Sequence, residues 1–197
     1  MKALTPPEAQ EWCSQAALGL TGDSSLCYKR SKEHKFFITA PEEHRMITAL
    51  AHDVLIFRGE ASFSGGLLWL RRWDIGSPQL VKPGWLILEN IRRAHGDLRS
   101  LELAPAQSFR EDEIVELHAF LIQTIAYGWV AEFVPGSGHY FLHFKDNRQI
   151  RFTAESPATL EELRTALHRW NPTDEDPMVV KMSSIQRQRK RLQQRHK

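Results

Sequence analysis

Glu132, His139 and His143 are the residues whose types come nearest to a reaction centre. A carboxylate beside an imidazole is the pairing used for general acid–base work, and two histidines with a carboxylate form a metal-ligand set. Spacing argues against the metal. His139 and His143 fall in a stretch that reads as a strand, where four residues span roughly 13 Å, whereas zinc holds each nitrogen at about 2.1 Å. His44 and His52 fail in the same way, because eight residues along a helix rise about 12 Å. His118 lies on an apolar helical stripe with Ile114, Leu121 and Ile125, the setting of a satisfied core histidine. No metal ligand set is expected.

Nucleophilic chemistry is no better served. Gly136-Ser137-Gly138-His139 lacks the G-x-S-x-G elbow and reads as a hairpin turn. Cys27 falls in a strand, and Cys13 sits on a helix beside Trp12, neither with an activating neighbour in sequence. The paired acids Glu42/Glu43 and Glu161/Glu162 occupy first helical turns, where the helix dipole explains them. No glycine-rich phosphate fingerprint occurs, and no cofactor is expected.

The candidate residues are positioned by one stretch, Gly128 to Thr153, which reads as three antiparallel strands joined by two tight turns. Asp146-Asn147 suits a two-residue hairpin, which would set His143 opposite Ile150 and Phe141 opposite Phe152. Pro135 to Gly138 forms the other turn, placing Phe133 opposite Tyr140. Alternation then gives two faces. Trp129, Ala131, Phe133, Tyr140, Leu142 and Phe144 form a core face. Val130, Glu132, Val134, His139, Phe141, His143, Ile150 and Phe152 form a second face, too apolar to be left wet and yet carrying ionisable groups. A helix or a partner must cover it.

Around this stretch the periodicities predict an α+β fold, an antiparallel or mixed sheet with packed helices. A first helix starts at Pro6 or Pro7 and is ended by Gly19. Leu26–Tyr28 and Phe36–Ile38 read as a hairpin pair. Thr39-x-x-Glu42 and Ser108-x-x-Glu111 have the capping-box form. Leu67–Leu70 is a strand buried on both faces, with Arg71, Arg72 and Trp73 carrying it to solvent. A helix opens at Pro83-Gly84, Leu101 and Leu103 alternate as a strand, and Ser156-Pro157 starts the last helix. The recurring order of strand, helix, strand and helix raises an internal duplication of a β-α-β-β-α unit, with halves 33–97 and 98–170. Chance recurrence of common β–α punctuation is the competing explanation.

Length suits a single α+β domain over residues 1–170, followed by a basic tail, 171–197. Of the chain's 26 Lys and Arg, seven lie after residue 180 and 19 before it, against 24 acids, so residues 1–180 carry a net −5. The basic character resides in the tail. Arg187, Arg189, Lys190, Arg191 and Arg195 there suit nucleic acid or an acidic partner, and the absence of aromatic residues argues against base stacking. Met1–Gln10 lacks the apolar core of a secretory signal, no apolar run reaches membrane-spanning length, and Cys13 and Cys27 build no disulfide framework. The cytoplasm is the expected location.

Leu68-Trp69-Leu70-Arg71-Arg72-Trp73-Asp74-Ile75, with Ala104-Pro105 and Tyr127-Gly128-Trp129, resembles an uncharacterised bacterial protein family without assigned function. The resemblance covers about residues 40–135 and implies no activity. The leading expectation is a soluble intracellular, non-catalytic module that binds a protein partner through a surface formed by Glu132, His139, Phe141, His143, Arg71, Arg72 and Trp73. The alternative is nucleic-acid association through the tail. A third class is a hydrolase-type enzyme using Glu132, His139 and His143.

Overall fold

The structure is a computed structural model describing residues 1–22, 25–29, 33–57, 59, 63–73 and 78–177, with the side chains of 78–82 outside the description. The tail from residue 178 onward, and with it Arg187, Arg189, Lys190, Arg191 and Arg195, lies outside the described residues.

The chain runs β1 (Lys2–Leu4), α1 (Pro6–Gln15), β2 (Leu18–Leu20), β3 (Leu26–Tyr28), β4 (His34–Thr39), α2 (His44–Ile56), β5 (Gly66–Arg72) and α3 (Pro78–Ala94). It continues with β6 (Ala106–Phe109), α4 (Ile114–Ala126), β7 (Val130–Pro135), β8 (Tyr140–Phe144), β9 (Gln149–Ala154) and α5 (Pro157–Ala166). Seven strands form an antiparallel sheet in the order β1-β6-β5-β7-β8-β9-β4, and β2 pairs with β3 in a separate two-stranded sheet. The fold is α+β.

The chain builds three layers because the central strands are apolar on both sides. Leu68, Leu70, Trp129, Ala131, Phe133, Leu142 and Phe144 face a large core shared with Leu50, Leu88, Phe120 and Leu163 from α2, α3, α4 and α5. On the opposite face Leu67, Trp69, Val134 and Phe141 pack with Ala9 and Cys13 of α1, Leu18 of β2, and Leu26 and Tyr28 of β3. Over β5, β7 and Phe141 of β8, the cover of the second face is therefore the chain's own amino-terminal segment.

Local chemistry places the ends. Thr5 and Glu8 bond each other at the start of α1, with the Thr5 amide donating to Glu8 Oε2 at 2.8 Å. Gly128, at φ 63°, ends α4. Ser156 Oγ accepts the Thr159 amide at 3.2 Å to cap α5. His118 Nε2 bonds the Thr48 carbonyl at 3.1 Å, joining α4 to α2. Asp53 accepts both Arg169 Nε and Trp170 Nε1 at 2.7 Å, which ties α2 to the segment after α5.

Several elements differ from the periodicity reading. Leu26–Tyr28 and Phe36–Ile38 are not a hairpin: β3 pairs with β2, while β4 crosses to the far edge and pairs with β9. Leu101 and Leu103 lie in turns, and the strand follows Pro105 instead. α3 begins at Pro78 and carries Pro83 within it. The helix after Thr39 starts at His44, and the acid bonding back before α4 is Glu113, which accepts the Arg110 amide at 2.8 Å.

The largest difference is register. Arg148, at φ 61°, adds a third residue to the Asp146-Asn147 turn, and Lys145 N donates to Gln149 O at 2.8 Å. Phe144 then faces Ile150, and His143 faces Arg151. A one-residue slip turns every side chain of a strand over, so Ile150 and Phe152 join the main core, where Phe152 stacks on Phe36 at 4.7 Å. Arg151 and Thr153 take their places on the second face. The other turn slides by two, pairing Phe133 with Leu142, and keeps the faces.

Residues 33–97 supply two strands to the large sheet and residues 98–170 supply four, with β5 of the first inserted between β6 and β7 of the second. The described end of the chain packs back on the sheet: Phe37 and Thr173 exchange backbone hydrogen bonds at 2.8 and 2.9 Å. No described helix is long and apolar enough to cross a membrane.

Gly65 tests the packing at the start of β5. Its φ is 76°, and a Cβ there would lie 2.3 Å from the Phe109 carbonyl oxygen. Gly65→Ala should cost at least about 2 kcal/mol through a left-handed backbone and a backbone clash. Denaturant unfolding checks this as a lowered midpoint with an unchanged slope.

Candidate functional site

The second face contains one cross-strand row that spans the large sheet: Leu4, Ala106, Trp69, Glu132, His143, Arg151 and Phe37, each the register partner of the next. Side chains opposite one another in antiparallel strands are in reach of each other. The row is apolar at its β1 end, where α1 covers it, and ionisable from β7 to β9. It holds two of the three residues nearest to a reaction centre.

Glu132 is 1% exposed. Its Oε1 accepts the Leu26 amide at 2.9 Å, and its Oε2 accepts Arg71 Nε at 2.9 Å, with Arg71 Nη2 at ion-pair distance, 2.7 Å. The Arg71 guanidinium lies flat over the Trp69 ring, 3.3 Å from its centroid. His143 Nδ1 stands 3.6 Å from Glu132 Oε1, too far for a good hydrogen bond. Burial pushes the Glu132 carboxyl up, but His143, the Arg71 charge and the donated hydrogen bonds together outweigh it and hold the group below its ordinary value. Glu132 is therefore a carboxylate with its acceptor sites occupied, clamping β3 to β7. Burial raises the neighbouring Cys13 thiol to about 12, with the Glu132 charge adding to the effect, so this thiol stays protonated.

His139 lies apart from this pair. It precedes β8, is half exposed, and pairs through Nδ1 with Glu155 beyond β9. The structure thus brings Glu132, His143 and Arg71 together and leaves His139 at another corner. No group of three His, Cys, Asp or Glu suited to a metal occurs among the described residues.

The remaining expected surface residues divide between core and rim. Phe141 is fully buried and meets Tyr28 at 5.5 Å. Arg72 pairs with Asp146 at the turn between β8 and β9. Trp73, half-buried, meets Trp85 of α3 edge-to-face at 5.9 Å.

Arg151 is the residue that sequence reasoning missed. A two-residue turn would have turned it toward the core. The apolar alternation of Ile150 and Phe152 matches that of Phe36 and Ile38 on β4, and this was the signal for the three-residue turn.

Comparison with known proteins returned no matching family model, no matching curated protein and no matching solved structure. No resemblance of the chain to a family is shown by these comparisons.

The clamp predicts a pH signature. A group whose folded pKa is depressed contributes stability above its unfolded value, near 4.5 for this glutamate, and loses that contribution as pH falls through the folded value. Glu132→Gln should therefore cost about 2 kcal/mol at neutral pH, because the charge-assisted bonds to Arg71 and Leu26 weaken. The deficit should shrink on acidification below pH ~4.5. Urea titrations of both proteins between neutral and acid pH check this.

Proposed function

We propose that this protein is a non-catalytic binding module that takes a protein partner at the Trp73–Trp85 pair and the exposed face of α3 that carries Leu86. The observation that carries this reading is the half-buried Trp73–Trp85 pair beside Leu86 and Ile87 of α3, which are 48% and 42% exposed. Tryptophans in such settings anchor protein interfaces, because a large rigid ring leaves water at little conformational cost. The occupied state of Glu132 supports the non-catalytic half of the reading. A substrate reaching that carboxylate would have to displace both the Leu26 amide and Arg71. A cytoplasmic setting belongs to the same proposal and agrees with the two free thiols, Cys13 and Cys27.

Leu86→Asp and Trp73→Ala test the surface. Leu86→Asp should change stability by less than about 0.5 kcal/mol, as exposed substitutions do, yet abolish recovery of the partner by cross-linking in extracts of the native host. Equal recovery with both variants would end this reading.

A second reading, nucleic-acid association through the basic tail, is favoured by where the described chain ends. Asp176 pairs with Lys145 at 2.8 Å, and Thr173 bonds Phe37, so the chain leaves from the β4–β9–β8 side. Removing residues 181–197 deletes seven positive charges. It should abolish salt-sensitive retention on DNA-cellulose, and unchanged retention would exclude the tail.

A further inference from the structure

We propose that the second face of β8, β9 and β4 is itself a phosphate-binding site centred on Arg151, and that its ligand is the phosphodiester backbone of a nucleic acid. This rests on the nucleic-acid reading above and adds a second contact surface to the tail.

Arg151 and Arg148 both carry a buried Nε without a partner, but Arg148 donates through Nη2 to the Pro41 carbonyl. Arg71, Arg92, Arg99 and Arg164 each meet a carboxylate. Arg151 pairs with no carboxylate among the described residues, and its Nε is buried without a hydrogen-bond partner. Its register partners are His143 on one side and Phe37 on the other. Two residues along β9, the Thr153 hydroxyl is likewise buried and unpartnered, and opposite Thr153 stands the exposed Lys35. Facing residues in neighbouring antiparallel strands sit about 5 Å apart, so His143, Arg151 and Lys35 offer donors from three adjacent strands to one patch.

The acids around this patch are already engaged. Glu132 holds Arg71 and the Leu26 amide, Asp176 holds Lys145, Glu155 holds His139, and Glu33 accepts the Tyr28 amide at 3.3 Å. An uncompensated guanidinium beside an ammonium favours an oxyanion, and a planar fork of N–H donors suits phosphate geometry.

The chain flanking the patch argues for a polymer rather than a free phosphate. In sequence, Arg30-Ser31-Lys32 directly precedes Glu33. Residues 178–197, which follow Pro177 in sequence, hold seven Lys and Arg and no Asp or Glu. Residues 1–180 carry a net −5, so the chain's basic excess lies in its last seventeen residues. Phe37 is only 4% exposed and presents no ring for a base to stack on. The contacts are therefore to the backbone and indifferent to sequence.

The test uses the full chain and a labelled single-stranded DNA of mixed sequence, with affinity measured across a salt series. Arg151→Gln combined with Lys35→Gln should weaken binding about tenfold at low salt. It should also flatten the slope of log affinity against log salt by about 1.4, as two lost phosphate contacts require. Arg151→Lys should restore most of the slope, which a purely structural role would not require. Lys35→Gln alone, at an exposed position, should flatten the slope by about 0.7 and guards against a double variant that fails to fold. Should the double variant keep parental affinity and slope while Arg189→Gln with Lys190→Gln and Arg191→Gln loses them, the sheet site is wrong and the tail reading stands. A parent that does not bind the DNA overturns both, as does saturable binding of inorganic pyrophosphate without binding of the DNA.

Discussion

The hydrogen bond from the Leu26 amide to the buried Glu132 carboxylate is the constraint on which the three-layer arrangement depends. A carboxylate removed from water is costly unless fixed donors and an opposite charge replace its hydration. Here Arg71 provides the charge, the β3 backbone provides a donor, and the Trp69 ring orients Arg71 from below. The apolar contacts of α1, β2 and β3 would pack on any greasy sheet, since burial of apolar area is not directional. The Glu132 clamp is directional. It fixes which residue of β3 stands over β7 and thereby holds Tyr28 above Phe141.

That arrangement divides the second face into two parts with different chemistry. From β1 to β7 the cross-strand row is sealed beneath the amino-terminal segment and ends in a neutralised acid. From β8 to β4 it continues through His143 and Arg151, where the neighbouring acids are spent on other partners. Polar groups left unsatisfied in a buried setting are costly and call for an explanation. Arg151 Nε and Thr153 Oγ1 are two of them on one strand.

A similar division of labour shapes the opposite edge. Asp97 accepts from Arg92 and Arg99, and Arg99 also donates to the Ala3 carbonyl at 2.8 Å. Burial pushes the Asp97 carboxyl up, but these bonds outweigh it and hold the group at about 2. The short strand β1 is thereby tied to the turn after α3, and its edge is not left as an open template.

Periodicity alone determined much of this. The alternation in Trp129–Phe144 assigned Trp129, Ala131, Phe133, Leu142 and Phe144 to the main core, and the unbroken run Leu67–Leu70 identified a strand buried on both sides. Those signals are local, because a strand's two faces are written in its own residues. Three things were not local. The partner of β4 is β9, more than a hundred residues away, so adjacency in sequence suggested the wrong hairpin. The register of β9 turned on whether Arg148 adopts a left-handed conformation, and the demand of Ile150 and Phe152 for the core decided it. The role of Glu132 depended on an amide 106 residues away. Sequence could place that carboxylate on a mixed face, but whether it faces a substrate or a backbone donor is a property of the layer above it, and only the tertiary structure supplies that layer.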